Sequence, residues 1–293
     1  MINFFSNIFG YVLNFIYNLV NNYGLAIILF SILIKIIMLP LSIKQQKTLK
    51  KNEKIQEQMK IIQIKHNGNQ EKINQELMEL YKTEKMNPFS GCFSVIIQMV
   101  LLFSMFYLVR SPLTYMKKVD SQVIDNQKNE IVQELGENVV SSTYPEMSII
   151  KYVRDKNIED SELYINMDFL GLDLNKVPQE NLNDITVFII PVLYVISSFI
   201  SIKLSTNMNK PKENVEAITD GKEKEKDEEV NPAEMAQQMN KSMSWMMPIL
   251  SVTVSLLAPL GLALYWLINN VMMIIERIAL NKIFSKEEEK ENG

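Results

Sequence analysis

Five stretches nearly free of charge constrain this chain more than any other feature: Tyr23 to Ile43, Phe93 to Val109, Ile185 to Leu204, Trp245 to Ala258 and Leu260 to Leu280. Only Lys35, Lys203, Arg110, Glu276 and Arg277 bring charge to them or to their edges. The hydrocarbon core of a bilayer is about 30 Å thick and takes roughly 20 apolar helical residues to cross. Four of the stretches meet that length, and the shorter fourth suffices as half of a tight hairpin. Evenly spread, 47% hydrophobic and 22% charged residues would suit soluble domains; segregated in this way they exclude them. The expectation is an all-α polytopic membrane protein with five transmembrane helices, at 23–43, 92–110, 185–204, 245–258 and 260–280.

The segments between the spans sort by charge. Residues 44–91 hold ten Lys and six acidic residues, a balance of +4, with Lys44, Lys47, Lys50, Lys51 and Lys54 close behind the first span. The positive-inside rule puts this segment in the cytoplasm. It reads as two amphipathic helices broken at Asn67-Gly68-Asn69, a cytoplasmic helical hairpin whose inner faces are Ile55, Met59 and Ile62 against Ile73, Leu77, Leu80 and Tyr81. Those faces serve either to pack on each other or to meet anionic lipid, a ribosome or an incoming chain. Residues 111–184 carry seven Lys/Arg against fourteen Asp/Glu, a balance of −7, and fit an acidic extracytoplasmic loop. The N-terminus is then outside and the tail 281–293 inside, with Ala258-Pro259-Leu260-Gly261 as an outer turn. Residues 205–244 form a charged cytoplasmic loop, whose Lys210 to Glu234 part is a solvated linker.

Residues 1–22 carry no charge, so they lack the basic start of a signal peptide and read as retained. Asn3, Asn7, Asn14, Asn18 and Asn21 recur at helical spacing beside Phe5, Ile8, Phe9, Val12, Ile16, Leu19 and Val20. A polar stripe on an apolar helix suits an interfacial amphipathic helix. The alternative, a further span, is costly because buried amides need partners.

The one Cys (Cys92) and one His (His66) leave little for metal, disulfide or histidine chemistry, and nine Gly make no phosphate loop. No catalytic residue, metal site or cofactor is expected. His66, at the hairpin turn, reads as a surface residue. Lys35 demands a reason: an ionisable residue inside a span costs roughly 2.5–3.5 kcal/mol on insertion scales. Either it snorkels to the inner headgroups, or polar groups on other spans receive it. Ser31 and Ser42 share its face, Pro40 removes a backbone donor, and Ser94 with Gln98, Ser197 with Ser201 and Ser205, Ser251 with Ser255, and Trp266 with Asn270 recur at helical spacing. A Lys, a Gln and an Asn inside spans suggest a hydrated cavity. Glu276, near a cytoplasmic end, reads as a local ion pair with Arg277.

Several motifs occur in an order that resembles one family. Asn22-Tyr23-Gly24-Leu25-Ala26-Ile27-Ile28 through Lys35 to Pro40-Leu41, followed by Lys44-Gln45-Gln46-Lys47, looks like the first span of the YidC/Oxa/Alb membrane protein insertases. Glu76 to Tyr81, Asn87 to Cys92 and Ile97-Gln98-Met99 resemble the end of that family's hairpin and its second span; Phe169 to Leu174 resembles its external segment; Met246-Met247-Pro248-Ile249 and Leu264-Tyr265-Trp266 with Asn270 resemble its final pair. The absence of a large external domain resembles the Gram-positive type. Three positions depart from the pattern: Lys35 replaces the usual Arg and lacks its bidentate fork, Val100 stands where Pro is common, and Asn269 replaces a Gly.

The resemblance implies a bundle with a hydrophilic groove open to cytoplasm and lipid, in a bacterial cell membrane. A positive residue there, Lys35 by position, attracts the polar or acidic tail of a client, with Gln98, Trp266 and Asn270 nearby by motif and Ser31 by spacing. Nascent membrane proteins are the implied clients; the ribosome, the signal recognition particle pathway and the Sec translocon are the implied helpers, and DNA is not a partner. The mixed tail Lys286 to Gly293 argues against ribosome docking through a basic tail. A small-solute transporter or channel is the alternative, although no inverted repeat is visible. An intramembrane enzyme would need a nucleophile with a base, or paired carboxylates, within the spans.

Overall fold

Asn21 and Asn22 divide the first two helices. Helix α1 (Ile2–Val20) ends where Asn21 turns left-handed (φ 48°), a conformation asparagine tolerates, with its N–H donating to the Tyr17 carbonyl at 2.7 Å. The Asn22 Oδ1 then accepts from the Leu25 N–H at 3.0 Å and caps helix α2 (Tyr23–Lys65). The computed structural model describes residues 2–66, 69–83, 90–136, 139–208 and 252–292. The remaining helices are α3 (Gln70–Thr83), α4 (Ser90–Arg110), α5 (Ser121–Leu135), α6 (Pro145–Asp155), α7 (Ile189–Met208) and α8 (Leu260–Asn292), and residues 252–257 are helical too.

Among the described residues three stretches are long and apolar enough to cross a membrane, Tyr23–Thr48 in α2, Ile185–Leu204 and Leu260–Ile283 in α8, with Met99–Arg110 as a shorter apolar helix. Pro40 lies inside α2 and does not end it. Leu25, Leu29, Leu33 and Ile36 on α2 and Val192, Leu193, Ile196 and Ile200 on α7 are exposed, as side chains facing hydrocarbon are. The expected motif Met246-Met247-Pro248, Asn67 and Gly68 of the turn, and the linker from Lys210 to Glu234 lie outside the described residues.

The chain divides into two units. The first comprises Met1–Ile37, Met99–Ser201 and Trp245–Glu276. Its core joins Leu13 of α1, Tyr23, Ile27 and Phe30 of α2, Met105 and Leu108 of α4, and Ile149 and Ile150 of α6, all fully buried. The buried stripe of α1 is Ser6, Phe9, Gly10, Leu13, Ile16 and Tyr17, while Phe4, Tyr11, Phe15 and Leu19 are exposed. Asn3, Asn7, Asn18 and Asn21 are exposed, as the expected polar stripe requires, while Ile8 and Leu19 of the expected apolar side are exposed as well. Polar groups from residues 115, 118 and 166 dock on α1. Asn7 accepts from the Lys118 ammonium at 2.5 Å, Asn3 from the Tyr115 hydroxyl at 3.3 Å, and the Tyr17 hydroxyl from the Asn166 N–H at 2.9 Å.

Residues 111–184, expected as an acidic loop, are a folded layer in which several acids hold backbone rather than face water. Asp120 caps α5 by accepting from the Gln122 N–H at 2.7 Å. Glu146, only 5% exposed, accepts from the N–H groups of Leu113 and Thr114 and from the Thr114 hydroxyl, fixing the wide helical turn Leu113–Lys117. Burial pushes its carboxyl above the usual range, against those bonds. Strands β1 (Asp168–Phe169) and β2 (Leu172–Asp173) form a two-residue hairpin in which Leu170 and Gly171 both take positive φ. Arg154 of α6 clamps it through both oxygens of Asp173, at 2.7 and 3.3 Å. Asp184 caps the turn entering α7 and pairs with Lys176 at 2.7 Å; that ammonium, then the Thr186 hydroxyl and N–H, hold its carboxyl down at about 2. The expected outer turn is tied to the same layer, because the N–H groups of Leu260 and Gly261 donate to the carbonyls of Lys176 and Leu174, each at 2.9 Å.

The second unit comprises Met38–Gln98, Ile202–Ser244 and Arg277–Gly293. Here Asn69 caps α3 by accepting from the Lys72 N–H at 3.1 Å, and Ile73 is buried. Glu76 of α3 reaches Lys65 at 3.0 Å and the His66 Nε2 at 2.7 Å, across the junction with α2. His66 is therefore a partly buried residue that ties the two helices together, not the plain surface residue its position suggested. These bonds lower the Glu76 carboxyl, Lys65 first and His66 next.

Candidate functional site

Lys35 has a partner. Its Nζ lies 2.7 Å from Oε2 of Glu276 on α8, with the two side chains 20% and 10% exposed. Both residues belong to the first unit. Glu276, expected to pair locally with Arg277, directs one carboxylate oxygen to the lysine of another helix. Its second oxygen, Oε1, is buried and has no hydrogen-bond partner among the described residues. The physical reason for the pairing is cost. Separate charges in apolar helices are each expensive, and an ion pair with a direct hydrogen bond offsets part of that desolvation.

A second polar contact lies between α7 and α8. The Asn270 Nδ2 donates to the Ser198 hydroxyl at 2.7 Å and reaches that of Ser197 at 3.4 Å. Ser197 passes its own proton to the Tyr194 carbonyl at 2.7 Å. One turn before Asn270, the Trp266 ring meets the Tyr194 ring, with centroids 5.9 Å apart and planes inclined by 32°. The i, i+4 spacing of Trp266 and Asn270 thus sets an aromatic pair beside an amide–hydroxyl row on one helix contact. Helix α8 carries both features, with Asn270 and Glu276 separated by about 9 Å of rise.

Ser31 is buried, and its hydroxyl donates to the Ile27 carbonyl at 2.7 Å, one turn back on its own helix. Ser104 and Ser255 do the same toward Val100 and Val252. Such back-bonding satisfies a hydroxyl without a second helix, so these serines permit close packing. Gln98 lies on α4, and its side chain is outside the described set, as are those of Ser94, Ser205 and Ser251. The structure therefore brings Lys35 to Glu276 and Trp266 and Asn270 to α7. Ser31 is satisfied where it stands.

Sequence reasoning missed Glu276 as the counter-ion and Ser198 as the nearer hydroxyl. The first had a signal. Glu276 is the only acid within the apolar blocks and Lys35 the only base well inside one, and two lone opposite charges in hydrocarbon are each other's cheapest partners. Ser198 had none, because it falls off the Ser197–Ser201–Ser205 row. Among the described residues no group of three or more His, Cys, Asp or Glu is arranged to hold a metal ion. The polar groups described are a close ion pair with one open acceptor between α2 and α8, and an amide, two hydroxyls and an aromatic pair between α7 and α8.

Comparison with known proteins agrees with the motifs. The family model described as 60Kd inner membrane protein matches residues 15–288. The membrane protein insertase YidC of Francisella philomiragia is 26% identical over 290 residues, covering 99% of this chain and 38% of that protein. That of Chlorobaculum tepidum is 26% identical over 277 residues, 94% of this chain and 36% of the other. That of Buchnera aphidicola is 44% identical over a shorter stretch of 100 residues, 34% of this chain and 19% of the other. The chain spans less than two-fifths of the length of these curated relatives. With a family match that runs across nearly its whole length, the chain belongs to the 60Kd inner membrane protein family, the YidC/Oxa/Alb group whose motifs it carries, and is a membrane protein.

Proposed function

We propose that the chain is a membrane protein insertase and chaperone. It admits a short hydrophilic segment of a client beside Lys35, against Trp266 and Asn270, and releases the client's apolar helix sideways into lipid. The observation that carries this reading is the Lys35–Glu276 ion pair, held at 2.7 Å between apolar stretches of α2 and α8. A charge kept there at a cost serves something polar that passes through, and the relatives aligned over nearly the whole chain are named membrane protein insertases. Ser31 lies one turn from Lys35 on the same helix. In this reading the chain crosses the membrane five times, with the N-terminus outside, α1 in the outer interface, residues 111–184 outside, and α3, the latter part of α2 and the C-terminus in the cytoplasm. Nascent membrane proteins are its clients; ribosomes, the signal recognition particle pathway and the Sec translocon deliver or share them.

The mechanism needs no covalent step. A polar side chain, an aromatic wall and an ion pair shorten the hydrocarbon path of the client's tail and lower the barrier, while the end state is set by burying the client's helix at about 25 cal/mol per Å² of apolar surface. An acidic tail moving outward gains roughly 2.3 kcal/mol per charge for each 100 mV of membrane potential.

The test is insertion of a single-span client with an acidic N-terminal tail into proteoliposomes holding this protein alone. Wild type and Lys35→Arg are expected to insert it, and Lys35→Ala to lose most of that activity. Equal insertion by Lys35→Ala would leave hydration and membrane thinning as the working principle. No insertion by wild type beyond empty liposomes would refute autonomous insertase action on this client and favour Sec-dependent action or solute transport.

A further inference from the structure

We infer that Glu276 is a specificity-determining residue: it screens Lys35 in the resting site, so that an acidic client tail is admitted only by displacing it. This rests on the insertase reading and goes beyond it by setting which tail charge the site prefers. The argument begins with geometry. An ammonium 2.7 Å from a carboxylate oxygen, with both side chains largely buried, presents little net charge to an arriving segment. A carboxylate from a client therefore gains only the difference between its own contact with Lys35 and the one Glu276 already makes. The open Oε1 of Glu276 points the same way, since it is a buried acceptor without a donor among the described residues. A polar, uncharged tail can supply that donor from an amide or hydroxyl without breaking the ion pair. An acidic tail has to break it and leave Glu276 beside its own negative charge. The resting site thus favours neutral polar tails over strongly acidic ones, and Glu276 sets the margin.

The experiment compares clients that share one transmembrane helix and carry tails of charge −2, 0 or +2, in proteoliposomes of the full chain. The readout is the ratio of acidic-tail to neutral-tail insertion, measured by protease protection. Glu276→Gln is expected to raise that ratio about tenfold over wild type, which corresponds to about 1.4 kcal/mol. The same variant should tighten binding of an isolated acidic tail peptide to the detergent-solubilised protein by a similar factor. Exchange of the two charges, Lys35→Glu with Glu276→Lys, restores a screened pair and should return the ratio toward wild type. Lys35→Gln with Glu276→Gln, uncharged and of similar shape, should keep the ratio within about threefold of wild type, and it carries the test if Glu276→Gln does not fold. An unchanged ratio in Glu276→Gln overturns the inference. So does a large fall in the ratio of the double Gln variant, because Lys35 would then act as a free cation in the resting site. If wild type inserts no client at all, the insertase reading fails first, and the peptide measurement still reports whether Glu276 opposes acidic ligands.

Discussion

Gly10→Ala tests whether α1 is built into the protein or merely rests beside it. A Cβ on Gly10 would lie 1.8 Å from the Tyr115 carbonyl oxygen, 2.6 Å from its carbon and 3.3 Å from the Met116 nitrogen. These are backbone atoms, so no rotamer relieves the overlap, and one partner has to retreat by more than about 1 Å to reach ordinary contact. Neither partner moves freely. The turn at Leu113–Lys117 is held from behind by three bonds to Glu146. Helix α1 is held by Ser6, whose hydroxyl donates to the Ser104 carbonyl at 2.9 Å, and by the Tyr17 hydroxyl accepting from Asn166. Overpacking costs about 1–3 kcal/mol, and loosening one or two of these bonds adds about 1 kcal/mol each. Replacing a helical glycine returns about 1 kcal/mol. The net expectation is destabilisation by about 1–4 kcal/mol, and its midpoint of about 2.5 kcal/mol corresponds to a fall in apparent melting temperature of roughly 5–10 °C in detergent at about 2–4 °C per kcal/mol. Gly261→Ala is the control, since its Cβ would meet the Tyr23 ring at 3.4 Å, ordinary contact, and it should melt near wild type. If Gly10→Ala melts at or above wild type, only the helix-propensity gain is being read. The packing of α1 against the turn would then be refuted.

Leu170 holds φ 52° in a two-residue hairpin turn while 87% exposed. Leu170→Asn relieves a conformation that costs leucine about 1–2 kcal/mol and suits asparagine, so it should raise the melting temperature by a few degrees; a fall would mean the side chain has a packing role. Glu146 makes stability depend on pH in the opposite sense to Asp184. Burial raises the Glu146 carboxyl above its ordinary value of 4.5, so the folded state holds that proton more firmly than the unfolded one. Its contribution is greatest in acid and declines as pH rises through the raised value. Asp184 is lowered to about 2, so its contribution is present above about pH 4 and is lost as pH falls toward 2. Melting followed from pH 4 to 8 should show a decline that Glu146→Gln flattens; an unchanged slope in that variant would assign the decline to other groups.

Three of the five expected spans were legible because hydrocarbon imposes a one-dimensional rule: length and apolarity suffice, and among the described residues Tyr23–Thr48, Ile185–Leu204 and Leu260–Ile283 obey it. The motif residues Lys35, Trp266 and Asn270 were legible as unusual for the same reason. What composition hid was the use of acids in the segment after α4. An excess of Asp and Glu reads as solvation, yet Asp120 and Asp184 cap helical turns, Glu146 closes a third and Asp173 receives Arg154. Each role depends on a partner tens of residues away or on a local turn that charge counting does not see. Sequence distance also hid what docks on α1. Its asparagines are polar by composition, but Lys118 and Tyr115, more than a hundred residues later, convert two of them into docking points.

The Lys35–Glu276 pair joins these two kinds of legibility. Each residue alone was readable as an anomaly in an apolar block, and neither revealed whether the site would be positive or neutral. That depends on the contact between α2 and α8, where the separation of Nζ and Oε2 decides it at 2.7 Å. A lone lysine would attract acidic segments strongly and hold them, which slows release into lipid. A paired lysine gives up attraction for exchange, since each polar arrival trades one contact for another of similar strength. Under the proposed insertase function, in which a client has to leave again, a site that binds weakly would lower the barrier in both directions. The partition of the client's helix into the bilayer then decides the direction.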